Sequence, residues 1–288
     1  MASEKVLVLG AKGMLGQELV RVFSVDKKYE VTGWDREEID VTNFSEAERK
    51  IKKYAPRIII NAAAYNAVDL CEESEEEYQR ALTLNAEVPK FLACLAKDLD
   101  AVSVHYSTDY VFDGENGNEG YDERAEPNPI SKYGKSKWEG EKNVLAQSGK
   151  SYLIRLSKLF GKPALSIGGK KSFFEKMLEV AKDKSEVSAV DDEKSCFTYA
   201  PDLAKATLAL IRDNAPYGIY HLPNEKPATW YGAALELFRL AKMDMTVEAV
   251  PAETFPRPAR RPKYSALLNT KRPLLRSYTE ALKEFLES

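Results

Sequence analysis

The run Val6-Leu7-Val8-Leu9 leads straight into Gly10-Ala11-Lys12-Gly13-Met14-Leu15-Gly16, and Leu15, Leu19 and Phe23 then continue as an apolar stripe at helical spacing. A strand, a glycine-rich turn and a helix in direct succession leave few folds open. Glycines here let the backbone turn sharply, bring amide donors close to a pyrophosphate at the helix N-terminus, and let the helix pack tightly on a sheet. The spacing G-x-x-G-x-x-G is a variant of the dinucleotide fingerprint. It assigns Gly10, Lys12, Gly13, Met14, Leu15 and Gly16 to cofactor binding. The second strand ends at Trp34-Asp35-Arg36, roughly 20 residues past the last glycine, where an acid suits a ribose 2′-hydroxyl and an arginine suits a 2′-phosphate. Asp35 argues for NAD(H), Arg36 and Lys12 for NADP(H), and the two cations put NADP(H) slightly ahead.

Further strands are expected at Arg57-Ile58-Ile59-Ile60, Ala101-Val102-Ser103-Val104 and Tyr152-Leu153-Ile154-Arg155, with helices between them; Phe91, Leu92, Leu95 and Leu99 form a second core stripe. Strands separated by helices predict an α/β fold whose parallel sheet is covered on both faces. After about residue 160 the pattern loosens into a Gly- and Lys-rich stretch at 168–171. Helices are expected near 172–182, 201–212, 230–242 and 277–287. The reading is a dinucleotide-binding domain over 1–160, rejoined by elements near 188–222, and a smaller substrate domain formed mainly by 161–288. The irregular segment Asp113 to Pro129 is expected to be a surface loop placed where a lid would lie.

The 288 residues, 44% hydrophobic, suffice for a substantial core, and a net charge of −3 offers no basic face to nucleic acid. No apolar run is long enough to span a bilayer, and the N-terminus leaves no room for a signal peptide, so a cytoplasmic protein is expected. Cys71, Cys94 and Cys196 are widely spaced and odd in number, which fits unpaired thiols in a reducing compartment. With only His105 and His221 to join them, no metal site is expected. The acidic run Glu72 to Glu77 reads as a solvated helix start, and His221 as a packing group.

Chemistry is concentrated at the predicted strand ends. Asn61-Ala62-Ala63-Ala64 has side chains small enough for a ligand to lie against the backbone. Tyr106-Ser107-Thr108-Asp109-Tyr110 places hydroxyls at the carboxyl edge of the sheet, where ligands bind in open α/β folds. Tyr133 and Lys137 stand four residues apart, on one face of a helix, where an ammonium favours the phenolate and so turns a poor acid into a useful one.

The segments Asn61-Ala62-Ala63-Ala64-Tyr65-Asn66-Ala67-Val68-Asp69, Ser107-Thr108-Asp109-Tyr110-Val111-Phe112-Asp113-Gly114, Tyr133-Gly134-Lys135-Ser136-Lys137-Trp138-Glu139-Gly140-Glu141 and Phe255-Pro256-Arg257-Pro258-Ala259-Arg260-Arg261-Pro262 resemble the dTDP-4-dehydrorhamnose reductase family of extended short-chain dehydrogenase/reductases. The resemblance runs over nearly the whole chain. It implies a Rossmann-type doubly wound parallel sheet with a smaller C-terminal substrate-binding domain, and NAD(P)H-dependent reduction of a 4-keto-6-deoxy sugar nucleotide. Thr108, Tyr133 and Lys137 are implied as catalytic; Asp40, Ala62, Ala63, Ala64, Tyr65, Tyr133 and Lys137 join the cofactor set. Val68, Thr108, Asp109, Tyr133, Trp230, Arg260 and Arg261 are implied on the substrate side, with packing as the plainer role for Trp230. A homodimer is compatible with the family, and Mg²⁺ at a dimer contact occurs in it, although nothing in this sequence locates one. Two other activities share the motifs: a non-catalytic NADP-binding regulatory subunit, and a sugar-nucleotide epimerase or dehydratase. The chain departs from the family pattern on its substrate side. Leu156 and Lys158 replace a threonine and a tryptophan, Lys171-Ser172-Phe173 replaces Asn-Asn-Phe, and Asp192-Glu193-Lys194-Ser195-Cys196-Phe197-Thr198 loses a glycine and a proline.

Overall fold

The computed structural model describes residues 3–116, 119–147, 149–166 and 169–287; Gly117 and Asn118 of the expected loop and Gly168 of the Gly- and Lys-rich stretch lie outside the described residues. In chain order the elements are β1 (Glu4–Leu9), α1 (Met14–Val25), β2 (Tyr29–Trp34), α2 (Phe44–Tyr54), β3 (Ile58–Asn61), α3 (Leu70–Glu73), α4 (Glu75–Leu82), a π-helical stretch (Thr83–Glu87), α5 (Val88–Asp98) and β4 (Val102–Thr108). There follow α6 (Lys132–Ala146), β5 (Ser151–Leu156), β6 (Leu159–Phe160), α7 (Phe173–Val180), β7 (Glu186–Val190), β8 (Lys194–Ser195), β9 (Thr198–Tyr199), α8 (Ala200–Arg212) and β10 (Gly218–His221). The last are β11 (Asn224–Glu225), β12 (Ala228–Thr229), α9 (Trp230–Ala241), β13 (Thr246–Val250), β14 (Leu275–Ser277) and α10 (Tyr278–Glu287).

Six strands form one sheet in the order β10-β5-β4-β3-β1-β2, every neighbouring pair parallel. Alternation along the strands splits the core in two. Val6, Val8, Ile58, Ile60, Val104 and Ile154 face Leu15, Leu19 and Phe23 of α1 and Leu203 and Leu210 of α8, while Leu7, Leu9 and Ile59 face Ile51 of α2 and Leu92 and Leu95 of α5. The chain leaves β1 toward β2 and then crosses back to β3, so the strand order reverses between β1 and β3. A crevice opens at such a switch point, outside the carboxyl ends of the strands.

A third cluster, separate from the sheet, gathers Phe174 of α7, Phe197, Tyr199 of β9, Leu237 and Phe238 of α9, and Tyr278 and Leu282 of α10. Around it lie two-stranded pairings, β6 with β9, β7 with β13, β8 with β12 and β11 with β14. Most of these strands are two residues long, too short for periodicity to reveal. The three cysteines are free thiols. No helix among the described residues is long and apolar enough to cross a membrane.

The segment after β4 differs from the expected surface loop. Tyr121 is buried and stacks on Phe112 with ring centroids 4.1 Å apart, its backbone exchanging hydrogen bonds with Ala266 and Leu268. Glu123 is also buried and accepts from the Thr270 amide and hydroxyl. Gly, Asn and Pro signalled irregular backbone, but long-range pairing with residues 264–270 pins that backbone down.

Candidate active site

Gly10 closes β1 at φ +75°, in the left-handed region that glycine enters without strain. A β-carbon there would stand 2.8 Å from the Ala63 amide nitrogen, and one on Gly16 would stand 2.0 Å from the Gly10 carbonyl. The glycine turn therefore lies bare against Ala62 and Ala63 at the switch point. Helix α1 starts after Gly13 with no side-chain cap, which leaves first-turn amides to an incoming anion. The side chains of Met14 and Leu15 are buried in the core beneath the turn, so these two residues can offer that anion only their backbone amides.

Asp35 uses its carboxylate locally, accepting from the amides of Lys12 at 2.8 Å and Arg36 at 2.9 Å and so tying β2 to the glycine turn. That leaves two cations, Lys12 and Arg36, at the rim; Lys12 meets Glu37 at 3.0 Å in an exposed pair worth little. Asp40 accepts from the Thr42 hydroxyl and amide, which hold it below the usual carboxylate range and engage it in its own turn. A bare-backbone cradle, an open helix N-terminus and a cationic rim fit a dinucleotide carrying a 2′-phosphate.

Thr108 ends β4. Its hydroxyl accepts from the Tyr110 amide and donates to Asp109 at 3.2 Å, and it lies near enough to the Tyr133 phenol to lower its pKa. Tyr133 occupies the first turn of α6, where the Ser131 hydroxyl accepts from the Gly134 amide. Its ring packs edge-on against Tyr110, in a cluster with Tyr65, Val68 and Cys71. Gly134 makes this possible, because a β-carbon there would stand 2.3 Å from the Tyr110 carbonyl.

The expected lowering of the Tyr133 pKa is not what its surroundings produce. Burial is the largest influence and raises it, Thr108 offsets part of this, and the neighbouring Asp109 raises it further. Lys137 instead donates to the Tyr106 carbonyl at 2.6 Å, and its own burial brings the ammonium down to about 8. Tyr133 is thus held protonated, the state a proton donor needs.

Several positioning residues gave no sequence signal. Asn85, in the π-helical stretch, exchanges hydrogen bonds with the Tyr65 backbone and donates to Ser136, whose hydroxyl donates to the Tyr133 carbonyl. A β-carbon on Gly140 would stand 1.9 Å from the Asn85 carbonyl, so a glycine was the one trace of this contact. The acidic run is not simply solvated: Glu72 accepts from the Lys132 amide at 2.7 Å, and Glu77 accepts from the Tyr65 hydroxyl and pairs with Arg80.

Trp230 opens α9 and donates through Nε1 to Glu193 at 3.1 Å, and Glu193 also receives Arg257. Arg261 grips Asp69 through two nitrogens at 2.6 and 2.7 Å, fastening the proline-flanked turn to the loop after β3, while Arg260 is exposed. Asp109 accepts from Ser265 at 2.6 Å, and burial raises its pKa. Among the described residues no group of three or more His, Cys, Asp or Glu side chains forms a metal site.

The family model described as RmlD substrate binding domain matches residues 4–288. The chain belongs to the dTDP-4-dehydrorhamnose reductase family. It is 34% identical over 278 residues to a dTDP-4-dehydrorhamnose reductase from Aggregatibacter actinomycetemcomitans, covering 93% of this chain and 91% of that protein. A probable dTDP-4,6-dihydroxy-2-methyloxan-3-one 4-ketoreductase from Streptomyces antibioticus is 36% identical over 263 residues, covering 91% and 85%. The crystal structure of the dTDP-4-dehydrorhamnose reductase from Bacillus anthracis in complex with NADP superposes with a TM-score of 0.92 at 33% identity, covering 100% of both chains. Two of the departures from the family pattern, Lys158 and Glu193, meet the same side chain, Trp230.

Proposed function

We propose that this chain is an NADPH-dependent reductase of a nucleotide-linked 4-keto-6-deoxyhexose, with dTDP-4-dehydrorhamnose as the favoured substrate and dTDP-rhamnose as the product. The observation that carries the reading is the convergence of the Thr108 and Tyr133 hydroxyls in a buried site at the carboxyl edge of β4, beside the bare glycine turn. When bound, the reduced nicotinamide supplies the hydride that the carbonyl carbon accepts. Tyr133 gives its phenolic proton to the carbonyl oxygen, and Thr108 turns its hydroxyl from Asp109 to donate to that same oxygen. Lys137, protonated at neutral pH, offers its remaining N–H donors to the nicotinamide ribose. In the turn that Arg261 fastens to Asp69, the exposed Arg260 presents a guanidinium fork suited to the substrate diphosphate.

Lys12 and Arg36 decide the reductant, since Asp35 is engaged with backbone amides. The variant Lys12→Ala/Arg36→Ala is predicted to weaken NADPH binding at least about tenfold while NADH binding stays within about twofold. Titrating each reduced cofactor by its fluorescence checks this, and an equal effect on both would remove the 2′-phosphate role. The reduction itself is tested by product analysis: one alcohol formed for each NADPH oxidised supports it.

A further inference from the structure

Lys158 sits at the entrance to β6 with φ +39°, a left-handed conformation that costs a lysine energy and that proteins keep mainly at functional positions. Its side chain is only part-buried, yet its ammonium is sealed from solvent and has no hydrogen-bond partner among the described residues. Nζ rests 3.8 Å from the centroid of the Trp230 ring and 4.9 Å from that of Phe197. A cation held only by ring faces leaves three N–H donors unused, and burial correspondingly lowers its pKa. The charges acting on it are Asp109, beside Thr108, and Glu193, which holds Trp230 and Arg257.

We propose that Lys158 is a specificity-determining residue of the sugar pocket, its ammonium donating to a ring hydroxyl on the carbon next to the reacting ketone. The placement follows from the sheet, where Thr108 at the end of β4 pairs with Leu156 of β5, two residues before Lys158, and where Asp109, which accepts from Thr108, acts on both. A neutral oxygen rather than a carboxylate is the matching ligand: the positive charges of Lys158 and Arg257 are already balanced by the negative charges of Asp109 and Glu193. Rotating the flexible lysine stem carries the ammonium off the Trp230 face, exchanging a modest cation–π contact for a charged hydrogen bond. The inference rests on the reading of the chain as a sugar-nucleotide ketone reductase.

The test compares kcat/KM for NADPH-dependent reduction of two nucleotide-linked 4-keto-6-deoxyhexoses, one with the neighbouring C3 hydroxyl and one 3-deoxy. The wild-type protein is expected to prefer the hydroxylated substrate at least about tenfold, and Lys158→Met to lose about that factor on it while staying within about twofold on the deoxy substrate. Lys158→Gln, which keeps a donor, should recover part of the preference, and it makes the same comparison should Lys158→Met not fold. A preference retained in Lys158→Met, equal losses on both substrates, or no wild-type preference would overturn the role of Lys158 and leave the reductase reading standing. No NADPH oxidation by the wild-type protein with either ketone would overturn both.

Discussion

Replacing Tyr133 by phenylalanine is expected to lower kcat at least about 10²-fold, the smallest loss usual for a general acid, while NADPH binding stays within about twofold. The size of the loss follows from geometry. Tyr133 is buried, so bulk water is poorly placed to stand in for the missing proton donor. The specificity of the loss follows from packing. Phenylalanine keeps the ring against Tyr110, and the bond from Ser136 reaches the backbone carbonyl of residue 133 rather than its side chain. Steady-state kinetics with saturating cofactor and a fluorescence titration of NADPH check the two halves separately. Turnover within about twofold of wild type would remove Tyr133 from the chemistry.

The largest effect on stability is expected at Arg155. This β5 guanidinium is 2% exposed and grips Glu141 of α6, also 2% exposed, at 2.9 and 2.6 Å. It also meets His221 Nε2 at 3.3 Å and lies over the Phe112 ring. Burial and the Arg155 charge hold His221 to a pKa of about 3, so the imidazole is neutral and its Nδ1 proton goes to the Tyr121 carbonyl. Arg155→Met is predicted to cost about 3–5 kcal/mol, because it leaves the Glu141 carboxylate buried with no counter-charge. The double variant Arg155→Met/Glu141→Leu should regain much of this, since removing both charges also removes their desolvation cost. Urea unfolding midpoints measure both. A single-variant loss below about 1 kcal/mol would show that the pair does not anchor α6 to the sheet.

What the sequence reveals of this molecule depends on how local the physical cause is. The turn at residues 10–16, the five strands and the flanking helices were legible because apolar periodicity and glycine placement act within a dozen residues. Tyr133 and Lys137 were legible as one helix face and Thr108 as a strand-end hydroxyl, but only the family resemblance joined the three into a set. The direction of the Tyr133 pKa was not legible: a four-residue spacing puts Lys137 on the same helix face, but burial and the Tyr106 carbonyl, both tertiary, decide where the charge acts. Asn85, Glu72 and the pinned Tyr121 likewise act through partners dozens of residues away. At Lys158 and Glu193 the sequence showed a departure from the family pattern, and only the fold showed that the two residues enclose the same tryptophan.

The most direct measurement of the central claim is oxidation of NADPH and of NADH by the wild-type protein across a set of 4-keto-6-deoxy sugar nucleotides, with the products identified. The expected result is consumption of NADPH in equal amount to the 4-hydroxy sugar nucleotide formed, fastest with dTDP-4-dehydrorhamnose. Sugar conversion without net cofactor consumption would instead make the chain an epimerase or dehydratase, and NADPH binding with no turnover of any member of the set would contradict an enzymatic role.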